Sequence, residues 1–273
     1  MKKVAIVGYE GGVSCAYFVG VILALVEKFN LTHPYLVIGS SGSTGTLAYY
    51  VAGQYESIRN IWENLIPSKK FVSIWRLNKI MDIDYLIDDI FKKQDVLDIN
   101  KIKSSSIKFL ISTTNIETGQ LEYFGNQDDV DIFEVLRASN AAPFIYNRSV
   151  KINNNRYVDG ALGASLHANI EKAKKEGAEV VIAVDNSNKS FIVDIILRVY
   201  SLFRNKSFRQ RLKSYYKEMR YQNNDENVLI IKPSIKLSIS IVDNNHDDII
   251  KTIQIGYNDV LNKTTLIQKL LSN

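Results

Sequence analysis

The sequence is poor in several residues on which enzymes and secreted proteins often depend. It has one cysteine and three histidines, and it has no long block of cationic residues. A lone Cys15 excludes an intramolecular disulfide, which fits a reducing compartment. The formal net charge of +5 and the pI near 9.0 are mild, so charge gives no indication of a nucleic-acid partner.

Apolar runs long enough to cross a membrane are also lacking. The run from Val13 to Leu25 is too short to span a bilayer, and Glu10 with the pair Gly11-Gly12 breaks the segment before it. No cleavage site of small residues follows, which argues against a signal peptide. We therefore expect a cytoplasmic protein.

What the sequence does contain is a regular alternation of strand-like and helix-like segments. The pattern predicts strands at 3–7, 35–38, 107–112, 121–124, 150–152, 156–158, 179–185 and 228–233, and helices at 16–28, 47–52, 133–139, 170–177 and 247–271. Residues 55–100 are predicted to form a helical insertion, with Trp62 and Trp75 in the core or capping a helix. This alternation predicts an α/β fold with helices on both faces of a sheet. The length of 273 residues and the 46% hydrophobic content fit one domain over 1–273.

The stretch from Tyr35 to Gln54 joins a predicted strand to a predicted helix through a turn of glycine, serine and threonine. Such a turn can present one hydroxyl at the amino end of a helix, where free backbone N–H groups and the helix dipole favour a developing negative charge. Ser41 is the candidate nucleophile.

A second glycine turn follows the first strand, between Gly8 and Ser14, and offers backbone N–H groups to an anion or an oxyanion. It does not fit a dinucleotide fingerprint, because Glu10 and Val13 occupy two of the glycine positions. The turn at 39–45 does not fit a P-loop either, because no lysine follows its last glycine.

A serine nucleophile needs a base, and the three histidines are poorly placed to serve. His33 should lie at the opposite end of its strand from Ser41, His246 lies in a polar loop, and His167 is expected at the surface. Asp159 ends a short strand and precedes Gly160, so its side chain would be held rigidly. We therefore favour Asp159 as the partner of Ser41.

Four segments together resemble the patatin-like phospholipases, a family of serine lipid acyl hydrolases with a Ser-Asp dyad. The matching segments are 10–17 with Gly20-Val21 (the glycine-rich oxyanion loop), 39–43 with Ala52-Gly53 (the GxSxG elbow), 136–143 (ASxAxP) and 157–161 (D-G-[GA]). The resemblance covers roughly residues 3–185, and it implies a three-layer sandwich with a mainly parallel central sheet.

This chain departs from the family pattern at three positions. Glu10 replaces a glycine and Ser14 replaces an arginine in the oxyanion loop, and Ser43 replaces the second glycine of the elbow. An offset alignment would make Ser43 the nucleophile, whereas the ungapped alignment favours Ser41.

The resemblance implies that Ser41 and Asp159 cleave phospholipid esters through an acyl-enzyme, while the N–H groups of Gly11, Gly12 and Gly42 bind the oxyanion. No cofactor and no metal would be required. Two alternatives stay open, a non-catalytic lipid- or partner-binding protein and an acyltransferase or thioesterase that uses the same dyad.

The carboxyl-terminal region, 190–273, is predicted to be mainly helical, basic and amphipathic. Residues 191–203 are mostly apolar, and the stretch that follows carries seven cationic residues up to Arg220. An apolar face joined to a cationic region is what an anionic membrane attracts, so 191–220 is the candidate for peripheral membrane contact. A core helix followed by a solvated helix is the competing interpretation. The sequence does not indicate an oligomeric state.

Overall fold

A computed structural model of the chain describes residues 2–76, 79–143, 145–186 and 225–272, with positions 201, 202, 206, 208–210 and 213 between the last two ranges. The strands are β1 Val4–Gly8, β2 Leu36–Gly39, β3 Lys108–Asn115, β4 Leu121–Gly125, β5 Val150–Ile152, β6 Asn155–Asp159, β7 Val180–Val184 and β8 Val228–Ile231. The α-helices are α1 Ala16–Phe29, α2 Ser43–Val51, α3 Tyr55–Asn60, α4 Ile99–Ser104, α5 Ile132–Ser139, α6 Leu166–Lys175, α7 His246–Leu261 and α8 Thr264–Leu271. Short 3-10 turns at Gly12–Cys15 and Gly160–Leu162 and π-helical segments at Ile61–Leu65 and Tyr85–Gln94 complete the set.

The eight strands form one mixed sheet in the order β5-β6-β3-β2-β1-β7-β8, with β4 also paired to β3. The five strands from β3 to β8 along this order run parallel, whereas β4 and β6 are antiparallel to β3 and β5 is antiparallel to β6. Successive side chains of β1 pack alternately into two different hydrophobic clusters. Ala5 and Val7 pack with Ile170 of α6, whereas Val4 and Ile6 belong to the larger cluster that includes α1, α2 and α7. The predicted three-layer α/β architecture is therefore confirmed.

The pairing of β3 brings two strand ends together. Leu110 and Ile111 pair with both β2 and β4, and Thr113 and Thr114 pair with both β4 and β6. Because β4 occupies one edge of β3 throughout, β2 and β6 must share the other edge. Since β2 is parallel and β6 antiparallel to β3, their carboxyl ends face each other on either side of Ser112. The segment that follows β2 therefore meets the carboxyl end of β6.

The helical insertion differs from the expectation in its middle. Between Ile66 and Asp84 the chain is mainly irregular and forms two isolated antiparallel bridges, Val72 with Met81 and Lys79 with Tyr146. Trp62 is buried as predicted, and its indole N–H donates to Thr46 Oγ1. Trp75 is 88% exposed, so its expected place in the core or a cap is wrong.

In the carboxyl-terminal region, the predicted strand at 228–233 is present as β8 and joins the sheet, whereas the helix predicted over 247–271 is two helices, α7 and α8. Most of 191–220, including 191–200, lies outside the described residues. Phe208 is described and packs in a small cluster with Ile116, Val158 and Leu162.

One helical stretch in the described part of the chain, Gly12–Phe29, is long and apolar enough to cross a membrane. Within the protein, 72% of it is buried, and it packs in the same core as α7.

Candidate active site

Ser41 lies two residues beyond the end of β2 and two before the start of α2. Its φ of 54° is in the left-handed region, which costs a residue with a side chain about 1–3 kcal/mol. The turn is nevertheless fixed, because the Ser41 carbonyl oxygen accepts hydrogen bonds from Thr44 N–H at 2.9 Å and from Thr44 Oγ1 at 2.7 Å. This strained geometry is the one that a strand-to-helix elbow uses to present a hydroxyl.

The Ser41 hydroxyl donates a hydrogen bond of 2.7 Å to Asp159 Oδ2. Every polar atom of Asp159 takes part in a hydrogen bond. Its Oδ1 accepts from Ala161 N–H at 2.8 Å, and its carbonyl oxygen accepts from Thr114 Oγ1 at 2.7 Å. The structure thus brings together the two residues that the sequence proposes as a dyad, and it fixes the carboxylate on the hydroxyl.

The segment between α5 and the Asp159 strand touches both members of this pair. Ser139 Oγ accepts a hydrogen bond from Ser41 N–H at 3.2 Å, and the Ala141 carbonyl oxygen accepts one from Asp159 N–H at 3.1 Å. Asn140 Nδ2 donates to Thr44 Oγ1 at 2.9 Å. The side chains of Ser139 and Asn140 thus reach the elbow, and the backbone of Ala141 reaches the strand that carries Asp159.

The glycine turn after β1 lies directly against the elbow. A Cβ added to Gly42 would lie 2.7 Å from the Gly12 carbonyl oxygen and 2.9 Å from Cys15 Sγ. Within the described residues, the N–H groups of Gly11, Gly12 and Gly42 have no hydrogen-bond acceptor. Ser41 N–H is already bonded to Ser139, which leaves these three glycines as the available donors beside the hydroxyl.

Two side chains hold the peptide units of the glycine turn. Asn186, which follows β7, donates through Nδ2 to the Glu10 carbonyl oxygen at 2.5 Å. Ser14 donates to the Gly11 carbonyl oxygen through Oγ at 2.7 Å and through its N–H at 2.9 Å. Because a trans peptide points its C=O and N–H in opposite directions, these bonds fix where the N–H groups of Gly11 and Gly12 point. Ser14, at the position of the family's arginine, thus has a local structural role.

A buried polar network lies beneath the dyad. Ser40 Oγ and Ser112 Oγ are 2.6 Å apart, Asn169 Nδ2 donates to Ser40 Oγ at 2.8 Å, and Tyr123 OH donates to Asn169 Oδ1 at 2.8 Å. Ser40, Ser112 and Asn169 have no exposed surface. The network links the end of β2, the middle of β3 and α6, and so it fixes the two strand ends that carry the dyad.

Ser43, the alternative nucleophile, is fully buried. It lies at the start of α2, and its hydroxyl bonds to the backbone of Ser40. This geometry favours Ser41 over Ser43, since the Ser43 hydroxyl is buried and bonded to the backbone. His33 is exposed and precedes β2, at the opposite end from Ser41, and His246 is exposed at the start of α7.

Burial raises the pKa of the Asp159 carboxyl from 3.8 to about 7, and the hydrogen bonds from Ser41 and Ala161 only partly offset this effect. A carboxylate whose pKa lies near neutrality is a much better base than an ordinary aspartate. Burial also raises the pKa of the Cys15 thiol, which stays protonated near neutral pH. No group of three His, Cys, Asp or Glu side chains in the described ranges is arranged to hold a metal ion.

An apolar pocket lies beside the glycines. Gly12, Gly42 and Asn140 line one end. Its apolar walls come from α2 and the helical insertion and include Ile61, Trp62, Ile66, Phe71, Met81 and Phe91. Gly42, the residue after Ser41, is the lining residue that joins this pocket to the Ser41 turn.

Several of these residues were not among the candidates from the sequence, notably Ser112, Ser139, Asn169 and Asn186. Ser139 lies in a matched motif, which marks it in the chain but does not indicate its hydrogen bond with Ser41 N–H. Asn186 follows a predicted strand at the same edge of the sheet as Ser41, and this placement was the only available signal. Ser112 and Asn169 carry no motif that would have found them.

A family model described as patatin-like phospholipase matches residues 11–171. No curated protein matches the sequence. The structure is similar to that of VipD from Legionella pneumophila, with a TM-score of 0.58 and 13% identity over 98% of this chain and 67% of that chain. It is also similar to human GIVD cytosolic phospholipase A2 in complex with methyl gamma-linolenyl fluorophosphonate, with a TM-score of 0.53 and 10% identity over 99% of this chain and 58% of that chain. At these identities the likeness to the two structures shows the fold alone.

Proposed function

Because the chain belongs to the patatin-like phospholipase family, we propose that it hydrolyses phospholipid acyl esters through Ser41 and Asp159. The observation that carries the proposal is the hydrogen bond of 2.7 Å from Ser41 Oγ to Asp159 Oδ2, next to Gly42, which also lines the apolar pocket. The residues that we propose as nucleophile, base and oxyanion donors thus lie close together, beside an apolar pocket that would take the acyl chain.

In the proposed reaction, Ser41 Oγ forms a bond to the ester carbonyl carbon while its proton passes to Asp159 Oδ2. The N–H groups of Gly11, Gly12 and Gly42 stabilise the resulting oxyanion. Its collapse breaks the ester C–O bond, and Asp159 returns the proton to the leaving alcohol oxygen. Asp159 then takes a proton from a water molecule, whose oxygen attacks the acyl carbon. The bond from the acyl carbon to Ser41 Oγ breaks, Asp159 returns the proton to Ser41 Oγ, and the fatty acid is released.

The presence of a positioned dyad favours this reaction over a non-catalytic lipid-binding role. Acyl transfer or thioester hydrolysis would use the same two residues and differ only in the acceptor or the leaving group. We further propose that the protein acts in the cytoplasm as a peripheral membrane protein, with 191–220 contributing to contact. Of that segment, Leu202, Lys206 and Arg209 are described and exposed, which fits a mixed apolar and cationic surface.

Release of p-nitrophenol from acyl esters of several chain lengths tests the enzyme. We expect activity in wild type and in Ser43→Ala, and a loss of at least about a thousandfold in Ser41→Ala and Asp159→Asn. Ser43→Ala is the matched control, because it removes a second serine hydroxyl two residues away. Absence of activity in all four proteins, including wild type, would refute the proposal.

A fluorophosphonate with an unsaturated alkyl chain, of the kind bound in the human phospholipase structure, tests the nucleophile independently of the substrate. Ser41 Oγ would form a bond to phosphorus, fluoride would leave, and the proton would pass to Asp159. Mass spectrometry should then find the adduct on the peptide that contains Ser41, and no adduct should form in Ser41→Ala. An adduct on another serine would assign the nucleophile elsewhere.

A further inference from the structure

The helical insertion carries an exposed apolar tip next to the apolar pocket. Ile74 is 62% exposed and Trp75 is 88% exposed, and they are adjacent in the chain. Few large apolar side chains of the described residues are as exposed as these two. We call residues 69–76 the Trp75 tip.

The Trp75 tip is held by specific bonds at its base. Ser73 N–H donates to the Ile80 carbonyl oxygen at 2.8 Å, and Asp82 N–H donates to the Phe71 carbonyl oxygen at 2.8 Å. The Arg76 guanidinium donates back to the carbonyl oxygens of Lys70 and Phe71, at 3.0 Å and 2.8 Å. These bonds fix the backbone so that the Trp75 side chain faces solvent, although its apolar surface is then exposed to water.

The base of the tip belongs to the pocket. Phe71 and Met81, on the two sides of the bridge between Val72 and Met81, are buried and line the apolar pocket that reaches Gly12 and Gly42. The exposed pair Ile74 and Trp75 therefore lies within a few residues of side chains that would contact an acyl chain. A surface that contacts lipid at this point would adjoin the wall of the pocket that Phe71 and Met81 form.

The charge of the tip fits an anionic surface. Residues 69–82 contain four cationic side chains and one carboxylate, Asp82. Asp82 is paired with Arg76 at 3.2 Å and with Lys79 at 3.0 Å. Lys69 and Lys70 are exposed and have no ion-pair partner among the described residues. Two unpaired lysines beside an exposed Ile-Trp pair combine electrostatic attraction with the preference of tryptophan for the membrane interface.

We propose that the Trp75 tip inserts Ile74 and Trp75 into the interface of a phospholipid bilayer with anionic lipids, while Lys69 and Lys70 contact the headgroups. This proposal rests on the proposed function, since a membrane-bound tip would bring the wall of the pocket close to the lipid substrate. It concerns a different segment of the chain from 191–220, and it does not depend on the catalytic chemistry. A protein partner would use the exposed tryptophan equally well, but it would not account for the continuity between the tip and the pocket.

Binding can be measured without hydrolysis by using the full chain with Ser41→Ala as the parent. Sedimentation with vesicles of phosphatidylcholine and phosphatidylglycerol, and with phosphatidylcholine alone, gives the bound fraction. We expect Ile74→Asp with Trp75→Asp to weaken binding to both vesicle types by at least about tenfold, because the interfacial side chains are lost. Lys69→Gln with Lys70→Gln should weaken binding to the anionic vesicles by about fivefold per lysine and remove most of the salt dependence.

Two further variants make the result specific. Leu266→Asp changes another exposed apolar side chain, 45% exposed, on α8. The Leu270 carbonyl oxygen of this helix accepts a hydrogen bond from Lys2, which precedes β1 at the opposite end of the sheet from the site. We expect Leu266→Asp to bind vesicles as the parent does. Neutralising Arg204, Arg209 and Arg211 measures the contribution of 191–220 separately. Thermal unfolding should show that the tip variants fold, since the replaced side chains are exposed.

Unchanged vesicle binding in the Ile74→Asp, Trp75→Asp variant would overturn the proposal, as would a complete absence of vesicle binding in the parent. Loss of binding only in the arginine variant would assign docking to 191–220 instead. None of these outcomes depends on whether Ser41 hydrolyses esters, so the two proposals can fail separately.

Discussion

Ser43 bonds to both polar backbone groups of Ser40. Its hydroxyl accepts from Ser40 N–H at 3.1 Å and donates to the Ser40 carbonyl oxygen at 2.9 Å. Ser43 occupies the position of the second glycine of the elbow, and it adopts helical geometry as the first residue of α2. The substitution is therefore accommodated, because its hydroxyl satisfies backbone groups beneath the elbow and does not enter the site.

We expect Ser43→Ala to lower stability while leaving the dyad in place. The change leaves two buried backbone groups of Ser40 without a partner, which costs about 1–3 kcal/mol for each group that water does not reach. Urea unfolding should show this loss, and p-nitrophenyl ester hydrolysis should stay within a few-fold of wild type. A loss of activity as deep as that of Ser41→Ala, in a variant that is still folded, would contradict the assignment of Ser41.

The buried environment of Asp159 predicts an acidic limb in the activity profile. The proton acceptor must be ionised, and burial raises the pKa of its carboxyl to about 7. We expect kcat/KM for a soluble ester to fall about tenfold per pH unit below pH 7 and to level off above it. An ordinary aspartate would give a profile flat down to about pH 4, and such a profile would show that Asp159 is not the base.

The same pKa predicts how stability depends on pH. Because the folded-state pKa of about 7 exceeds the unfolded value of 3.8, the folded protein holds the proton more tightly between these pH values. The contribution of Asp159 to the free energy of unfolding therefore decreases as pH rises through this window. Asp159→Asn cannot ionise, so its stability relative to wild type should rise between pH 4 and 8, by at most about 4 kcal/mol. Denaturant unfolding of both proteins at several pH values measures this difference, and a difference independent of pH would contradict the raised pKa.

The sequence predicts most of this fold because its strands are short apolar runs separated by clear helical segments. It also predicts that Ser41 and Asp159 act as a pair, although they are 118 residues apart, since each lies in a recognisable motif. The contact between them depends on the two strand ends meeting on one edge of β3, which no local pattern encodes. The same holds for Asn186, whose partner, the Glu10 carbonyl, is 176 positions away. The exposure of Trp75 could not be predicted for a related reason. An aromatic side chain is normally buried, and only the tertiary structure shows that this one is exposed.

Gly160 is expected to be intolerant of any side chain. A Cβ there would lie 2.1 Å from the Ser112 carbonyl oxygen and 2.3 Å from Ser112 Oγ, at the point where β6 ends against β3. Gly160→Ala must therefore move the residue next to Asp159, and we expect a loss of stability of about 1–3 kcal/mol or more together with a large loss of activity. Gly125→Ala is the control, because its Cβ would meet its nearest neighbour at an ordinary 3.5 Å. Equal effects of the two changes on unfolding and hydrolysis would show that the Ser112 contact does not position Asp159.

Asn186 is expected to act as a positioning residue for the oxyanion donors. Its amide holds the Glu10 carbonyl oxygen and also lies 3.2 Å from Cys15 Sγ, so Asn186→Ala frees the peptide whose N–H belongs to Gly11. Loss of one complete oxyanion donor typically costs about a hundredfold to a thousandfold in kcat, and a donor that is only misdirected should cost less. We expect kcat to fall by about ten- to a hundredfold while KM changes little, because the affected contact forms in the transition state.

The matched control for Asn186→Ala is Asn126→Ala, which removes another buried amide that bonds to backbone groups. Asn126 binds Phe109 N–H and the carbonyl oxygens of Ile102 and Ile107, near the amino end of β3 and away from the dyad. If Asn186 acts only on stability, both variants should unfold at lower denaturant and retain the kcat of wild type. Both variants lose a buried side-chain amide, and they differ in which end of the sheet that amide stabilises. A fall in kcat confined to Asn186→Ala would therefore identify the glycine turn as the affected element.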